Sequence, residues 1–188
     1  MEITAYITAG GSSSRFREDK SLFIYRGKPL IQHVYDLLRD LFPQVCVIAN
    51  DSGKYSFLNT EIIADLVKGF GPKGGLYTAL AHAATERIFF CGCDMPNISA
   101  GLVRYLVELS AGYDVVVPVV PKGYDPLHAV YAKQCLPFVK YSIESGRRKI
   151  IEFYPRVRVR EVHVEEMQRF GNWEDMLFNI NYKHEVAE

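Results

Sequence analysis

The feature that most constrains this chain is a series of short apolar runs, each stopped by glycine, proline, asparagine or aspartate. Residues 3–9, 45–49, 61–64, 87–93 and 115–120 form these runs. Each is strand-length, and the continuous apolar ones suit strands buried on both faces. Between them lie helical patterns. Pro29 stands where a helix begins, Ile31, Val34, Tyr35, Leu38 and Leu41 give it an apolar stripe, and Pro43 ends it. The glycine-rich loop 69–75 opens a second helix through Leu76, Leu80 and Ala83. Ser99 is the expected N-cap of a third, carrying Leu102, Val103, Leu106 and Leu109. Strands alternating with helices predict a three-layer α/β/α domain with a mostly parallel sheet. Beyond Pro121 the alternation loosens. A strand at 127–132, a helix at 136–144, a strand carrying Val157, Val159, Val162 and Val164, and a short element at 173–178 predict a mixed C-terminal part. Residues 182–188 are polar and are expected to fray.

At 188 residues the chain is expected to form a single domain, 1–188. Lys+Arg and Asp+Glu are 22 each, so the formal charge is zero. That balance argues against a general nucleic-acid or membrane binder, while permitting a local basic site. No apolar run is long enough to span a bilayer, and the N-terminus lacks the basic region of a signal peptide. Three of the four cysteines, Cys46, Cys91, Cys93 and Cys135, sit in apolar stretches, which reads as buried thiols in a reducing cytoplasm. Cys91-x-Cys93 has no second pair, so no zinc site is expected there.

In open α/β sheets, ligands bind at the carboxyl ends of the strands. Here those ends carry Gly10, Gly11, three serines, Arg15 and Lys20 after the first strand, and Asn50 after the second. Asp65 and the glycine loop follow the third, and Asp94 the fourth. The first loop reads either as a tight turn with solvated basic residues or as a polyphosphate cradle, in which glycines admit the backbone and Arg15 and Lys20 add charge. Neither the P-loop nor the dinucleotide spacing is present. Asp94 reads either as a turn-capping carboxylate or as a Mg²⁺ ligand, since that ion binds through one or two carboxylates plus phosphate oxygens.

The motifs in order carry a resemblance. Thr8-Ala9-Gly10-Gly11-Ser12-Ser13-Ser14-Arg15 with Asp19-Lys20 resembles the LAGG-x-x-x-R-M-G-x-D-K signature of nucleotidyltransferases. Gly27-Lys28-Pro29-Leu30-Ile31, Gly71-Pro72-Lys73-Gly74-Gly75, Cys93-Asp94-Met95-Pro96 and Asp125-Pro126-Leu127-His128-Ala129-Val130-Tyr131 resemble its later segments. Gly146-Arg147-Arg148 and Asn179-Ile180-Asn181 have counterparts too. The set is most similar to the molybdenum cofactor guanylyltransferase (MobA) family and spans nearly the whole chain. Phe16-Arg17-Glu18 stands in place of Met-Gly-x, removing a residue free to take positive φ, and Lys73 in place of Leu adds a charge beside the expected base pocket.

The resemblance implies the nucleotidyltransferase fold and transfer of GMP from GTP to the terminal phosphate of molybdopterin, with release of pyrophosphate. It implies nucleotide contacts from Thr8, Ala9, Gly10, Gly11, Lys20, Asn50 and Asp65, with Arg15 and Lys20 on the phosphates. Mg²⁺ would be held by Asp94, with Asn181 as a second contact. Arg147 and Arg148 would meet the acceptor phosphate. Transient partners would be proteins that make or collect the cofactor. No catalytic histidine is expected, because the acceptor phosphate is already anionic; His128 reads as a packing residue. Arg156, Arg158 and Arg160, alternating with Val157 and Val159, read as a solvated strand face. Two other readings stay open: a related nucleotidyltransferase using CTP or a sugar 1-phosphate, and a nucleotide-binding module without turnover.

Overall fold

The computed structural model describes residues 2–9 and 19–180. The apolar runs form the strands of one sheet. In chain order these are β1 (Thr4–Thr8), β4 (Gln44–Ile48), β5 (Glu61–Ile63), β6 (Arg87–Gly92), β7 (Val115–Val120), β9 (His128–Ala132) and β10 (Val159–His163). Their spatial order is β10-β7-β9-β6-β1-β4-β5, with β8 (Gly123–Tyr124) folded back on β7. β1 pairs in parallel with both β4 and β6, and β10 in parallel with β7, whereas β9 runs antiparallel between β6 and β7. The sheet is therefore mostly parallel and mixed at its C-terminal side.

Residue alternation along each strand builds two cores. On one face Ala5, Ile7, Val45, Val47, Phe89 and Cys91 pack against α1 (Leu30–Leu41) and α3 (Ala100–Leu109). On the other, Tyr6, Cys46, Ile48, Ile88 and Phe90 pack against α2 (Pro72–His82) and α4 (Leu136–Glu144). Each fully buried aliphatic or aromatic side chain stabilises the fold by about 1.5–3 kcal/mol relative to exposure, so the two cores hold the layers together. Cys46, Cys91 and Cys135 are buried and all four thiols are free. Ser99 caps α3 by accepting the Leu102 N–H at 3.4 Å. Two short helices, α5 (Val164–Met167) and α6 (Trp173–Met176), complete the C-terminal side.

The structure differs from the sequence reading in three places. The segment ahead of Pro29, where no element was expected, carries two: residues Lys20–Leu22 form a 3-10 turn, and β2 (Ile24–Tyr25) pairs with β3 (Lys28–Pro29) as a hairpin. Its turn places Arg26 and Gly27 at φ 45 and 84, a geometry that glycine adopts cheaply. The glycine-rich segment is not all loop either. α2 starts at Pro72, behind Gly71 at φ 53, so Lys73, Gly74 and Gly75 are its first turn. The late strand starts at Val159, because residues Ile150–Arg156 wind into a 3-10 helix.

That shift dissolves the expected arginine face. Arg156 stacks on the Tyr141 ring at 4.4 Å. The Arg158 guanidinium reaches Asp114 at 3.3 Å, and Arg160 grips Glu166 in a two-pronged pair at 3.2 and 2.5 Å. Arg156 and Arg158 nonetheless stay exposed, Arg158 at 68%, in keeping with the solvated reading, whereas Arg160 is partly buried.

Candidate active site

β1 sits at the sheet's switch point: the chain steps from β1 to β4 and β5 on one side, then returns to β6 on the other. Such a reversal opens a crevice at the carboxyl ends of the strands. β1 and β6 end there at Thr8 and Gly92. The Cys93 N–H donates to the Thr8 carbonyl at 3.2 Å, and the Ala9 N–H to the Ile48 carbonyl at 2.9 Å, so the strand ends are locked together.

At the centre, the Lys20 ammonium donates to Asp94 Oδ2 at 2.7 Å. Both side chains are largely sheltered, at 16% and 21% exposure, so the pair is stronger than a surface ion pair. Asp19 fixes Lys20 from behind. Its carboxylate accepts the Ser21 N–H at 3.3 Å and the Ser21 hydroxyl at 2.6 Å, and it pairs with Lys54 at 3.3 Å. Burial pushes the Asp19 carboxyl up, but Ser21 and Lys54 outweigh that and hold it below the usual range. The sequence signal for this role was an Asp two residues before a Ser, an N-cap pattern inside the Asp19-Lys20 motif.

Asp94 is held close on two more sides. The Ile180 N–H donates to its backbone carbonyl at 3.0 Å. Gly92 leaves room for its carboxylate: a methyl at Gly92 would lie 2.6 Å from Asp94 Oδ1. Asp125 was read only as the flank of a motif, but its segment packs against the end of β6, where the Gly92 N–H donates to the Leu127 carbonyl at 3.1 Å. The Asp125 carboxyl is pushed up to about 6 by burial and by the charge of Asp94, against the opposing Leu127 N–H. Asp94, sheltered at the strand ends and already paired to a lysine, is a carboxylate suited to a hard divalent cation.

On the β4–β5 side, Asn50 and Asp65 come together. The Asn50 amide donates to Asp65 Oδ2 at 3.2 Å, and its carbonyl accepts the Asp65 N–H at 3.2 Å. Asp65 Oδ1 is buried and has no hydrogen-bond partner among the described residues. Burial raises this carboxyl, and Asn50 only partly offsets it. An acceptor left unsatisfied in this way costs free energy until a donor arrives. Nearby, the N-terminus of α2 brings its positive end to the crevice, and Gly75 permits close packing there: a methyl on it would meet Thr8 Oγ1 at 2.9 Å.

The charge expected of Lys73 beside a base pocket is not there. Its side chain is fully buried, and the ammonium donates to Ser142 Oγ at 2.6 Å, the Arg147 carbonyl at 3.0 Å and Glu152 at 3.2 Å. It thereby anchors the basic segment 147–152 to α2. Arg148 and Lys149 line a cavity of about 310 Å³ with Pro72, Tyr124, Leu127 and Ile151. A larger cavity of about 620 Å³ lies beside Asp125, walled by Val120, Tyr124, Trp173, Phe178 and Asn179.

His128 is fully buried, edge-on to Phe89 at 5.3 Å, and burial pulls its ring down to about 3, so it is a neutral packing group. Gly10, Gly11, Arg15, the Phe16-Arg17-Glu18 substitution and Asn181 lie outside the described residues. Lys20, Asp94, Asn50, Asp65 and the Thr8–Ala9 strand end all converge on the crevice.

Comparison with known proteins agrees with this geometry. A family model described as the MobA-like NTP transferase domain matches residues 5–160. A probable molybdenum cofactor guanylyltransferase of Pelotomaculum thermopropionicum is 35% identical, over 100% of this chain and 92% of that protein. One from Carboxydothermus hydrogenoformans is 34% identical, over 96% and 91%. Among solved structures, molybdopterin-guanine dinucleotide biosynthesis protein A from Archaeoglobus fulgidus superposes with a TM-score of 0.84 at 27% identity, covering 98% of this chain and 95% of that one. A 4-diphosphocytidyl-2C-methyl-D-erythritol synthase from Anaerococcus prevotii, at 12% identity and a TM-score of 0.72 over 98% and 92% of the two chains, shares the fold alone.

Proposed function

The chain belongs to the MobA-like NTP transferase family, and on that premise we propose that it transfers GMP from GTP to the terminal phosphate of molybdopterin in the cytoplasm. The observation that carries the reading is the sheltered Lys20–Asp94 pair, which sets a cation and a carboxylate side by side at the switch point. A terminal phosphate oxygen of the acceptor forms a bond to the α-phosphorus of GTP. The bond from that phosphorus to the β-phosphate bridging oxygen breaks, and pyrophosphate leaves with the electron pair. No strong base is needed, because the acceptor phosphate is ionised near neutral pH. The obstacle is bringing anions together in line.

Lys20 meets that obstacle by moving from Asp94 to the phosphates, with Arg15 beside it. Asp94 would hold Mg²⁺, and the ion would supply charge neutralisation for the phosphoryl transfer. Asp65 supports guanine as the base: its unpartnered Oδ1 suits the N–H donors of that ring's Watson–Crick edge, and Asn50 holds the carboxylate in place. Thr8, Ala9, Gly10 and Gly11 would line the nucleotide through backbone groups. Arg147 and Arg148 would meet the acceptor's phosphate, with Lys73 holding their segment to α2.

Pyrophosphate release across GTP, CTP, ATP and UTP, with and without molybdopterin, tests this reading. Release confined to GTP plus molybdopterin supports it. Release with CTP or with a sugar 1-phosphate would move the assignment to another nucleotidyltransferase, and tight GTP binding without release would make the chain a binding module.

A further inference from the structure

Away from the crevice, the register of the sheet sets three residues in a row on the α2 face. Tyr6 of β1 is the partner of Cys46 of β4, and Cys46 is the partner of Glu61 of β5. The last residue of α2, His82, comes down onto this row. Cys46 Sγ lies 3.8 Å from Glu61 Oε2, and His82 Nε2 lies 3.2 Å from Glu61 Oε1. One ligand atom from each of the three falls within 4.8 Å of the other two. We propose that Cys46, Glu61 and His82 form a second cation site, selective for a borderline-soft divalent ion such as Zn²⁺.

Four observations bear on this. The first is spacing. Tetrahedral zinc with bonds of about 2.0–2.3 Å separates its N, O and S ligands by roughly 3.3–3.7 Å, so ligand atoms that lie within 4.8 Å of one another must close by about 1 Å at most, which the partly exposed Glu61 and His82 side chains can supply. The second is charge: a thiolate and a carboxylate together match a dication, and the neutral imidazole adds none. The third is orientation. The Tyr6 hydroxyl lies 3.0 Å from His82 Nδ1, which fixes the ring and directs Nε2 to the ion, as outer partners of metal-bound histidines do. The fourth is the end of α2, whose negative pole faces the site and favours a cation.

Sulfur and imidazole also distinguish this site, at the C-terminal end of α2, from the oxygen-rich centre at Asp94 beyond the end of β6. Cys46 is buried, whereas the side chains of Glu61 and His82 are partly exposed, so a fourth position opens to water. An ion there would clamp the edge strand β5 to β4 and α2.

The test is a Co²⁺ titration of the metal-free protein, read by absorption. The proposal expects one equivalent to bind with tetrahedral visible bands and a near-ultraviolet thiolate-to-cobalt band, all displaced by Zn²⁺. The signal should vanish in Cys46→Ala and His82→Asn and persist in Asp94→Ala and Cys93→Ser. Because Cys46 is in the core, His82→Asn at the helix end decides independently of folding. Absence of the thiolate band at saturating Co²⁺, or its survival in His82→Asn, would overturn the proposal.

Discussion

Replacing Gly92 with alanine adds one methyl beside the carboxylate on which the proposed chemistry depends. Gly92 closes β6 without a left-handed φ, so its backbone accepts alanine. The new Cβ would lie 2.6 Å from Asp94 Oδ1, against the 3.4 Å at which ordinary contact begins, and 3.7 Å from Leu127 Cδ1. The carboxylate is the free end of a side chain, so it yields, moving by about 0.8 Å. That exceeds the ~0.5 Å tolerance of a working constellation. It also breaks the 2.7 Å contact with Lys20. A misplacement near 1 Å costs on the order of 100-fold in rate, so kcat should fall about 10- to 100-fold, or ~1.4–2.7 kcal/mol of barrier. Stability should change little. An off-rotamer Asp94 costs about 0.5–1.5 kcal/mol, which lowers Tm by no more than about 6 °C in a chain of this size. The assay is Mg²⁺-dependent pyrophosphate release from GTP and molybdopterin, beside a thermal melt. Wild-type kcat in Gly92→Ala would refute the role given to Asp94, and so would a loss of rate that merely follows the unfolded fraction.

Other substitutions test other parts of the site. Asp94→Ala should abolish Mg²⁺-dependent turnover, by at least about 100-fold, and near-normal activity would remove the metal assignment. Lys20→Ala should weaken GTP binding by about 10- to 100-fold, the worth of a charge-assisted contact, and an unchanged affinity in calorimetry would contradict its phosphate role. Lys73→Met frees the Arg147 carbonyl and Glu152. It should raise KM for the acceptor several-fold while KM for GTP stays put; equal changes in both would argue against a role confined to the basic segment. Asp114 addresses pH. Burial pushes its carboxyl up, but the Arg158 N–H and guanidinium and the Gln134 amide hold it below the usual range. Its folded form therefore releases the proton more readily than its unfolded form, so its stabilisation is present above about pH 4 and lost as pH falls further. Asp114→Asn should cost ~2 kcal/mol at pH 7, seen as a Tm drop of about 4–8 °C, and the gap to wild type should close in acid. A gap independent of pH would contradict the linkage.

The layers were legible because buried parallel strands must be apolar along their length, and β1, β4, β6 and β7 are. α4 was legible to its ends because Leu136 and Glu144 bracket a plain helical pattern. Strand order was not, since nothing in the run that becomes β9 says it will insert antiparallel between β6 and β7. The site residues at strand ends were readable one by one, as Lys20, Asn50, Asp65 and Asp94, because the fold class dictates where ligands bind. Their pairings were not. Lys20 meets Asp94 across 74 positions, and Asn50 meets Asp65 across 15. Long-range partners also misled the reading of charge. Lys73 looked like a pocket cation, but its partners Ser142 and Glu152 lie 69 and 79 positions away. The arginines before and within β10 read as solvated, which holds for the exposed Arg156 and Arg158, but nothing local announced their partners Tyr141 and Asp114 or the Arg160–Glu166 pair. Asp125 carried no signal apart from its motif, because its proximity to Asp94 arises only when its segment packs against the end of β6.

The most direct measurement follows a label from the α-phosphate of GTP. With Mg²⁺ and molybdopterin present, the account predicts that the label moves into a guanine dinucleotide of the pterin, while label on the γ-phosphate leaves as pyrophosphate. Label that stays in GTP, or appears in the pterin from CTP instead, would contradict the central claim.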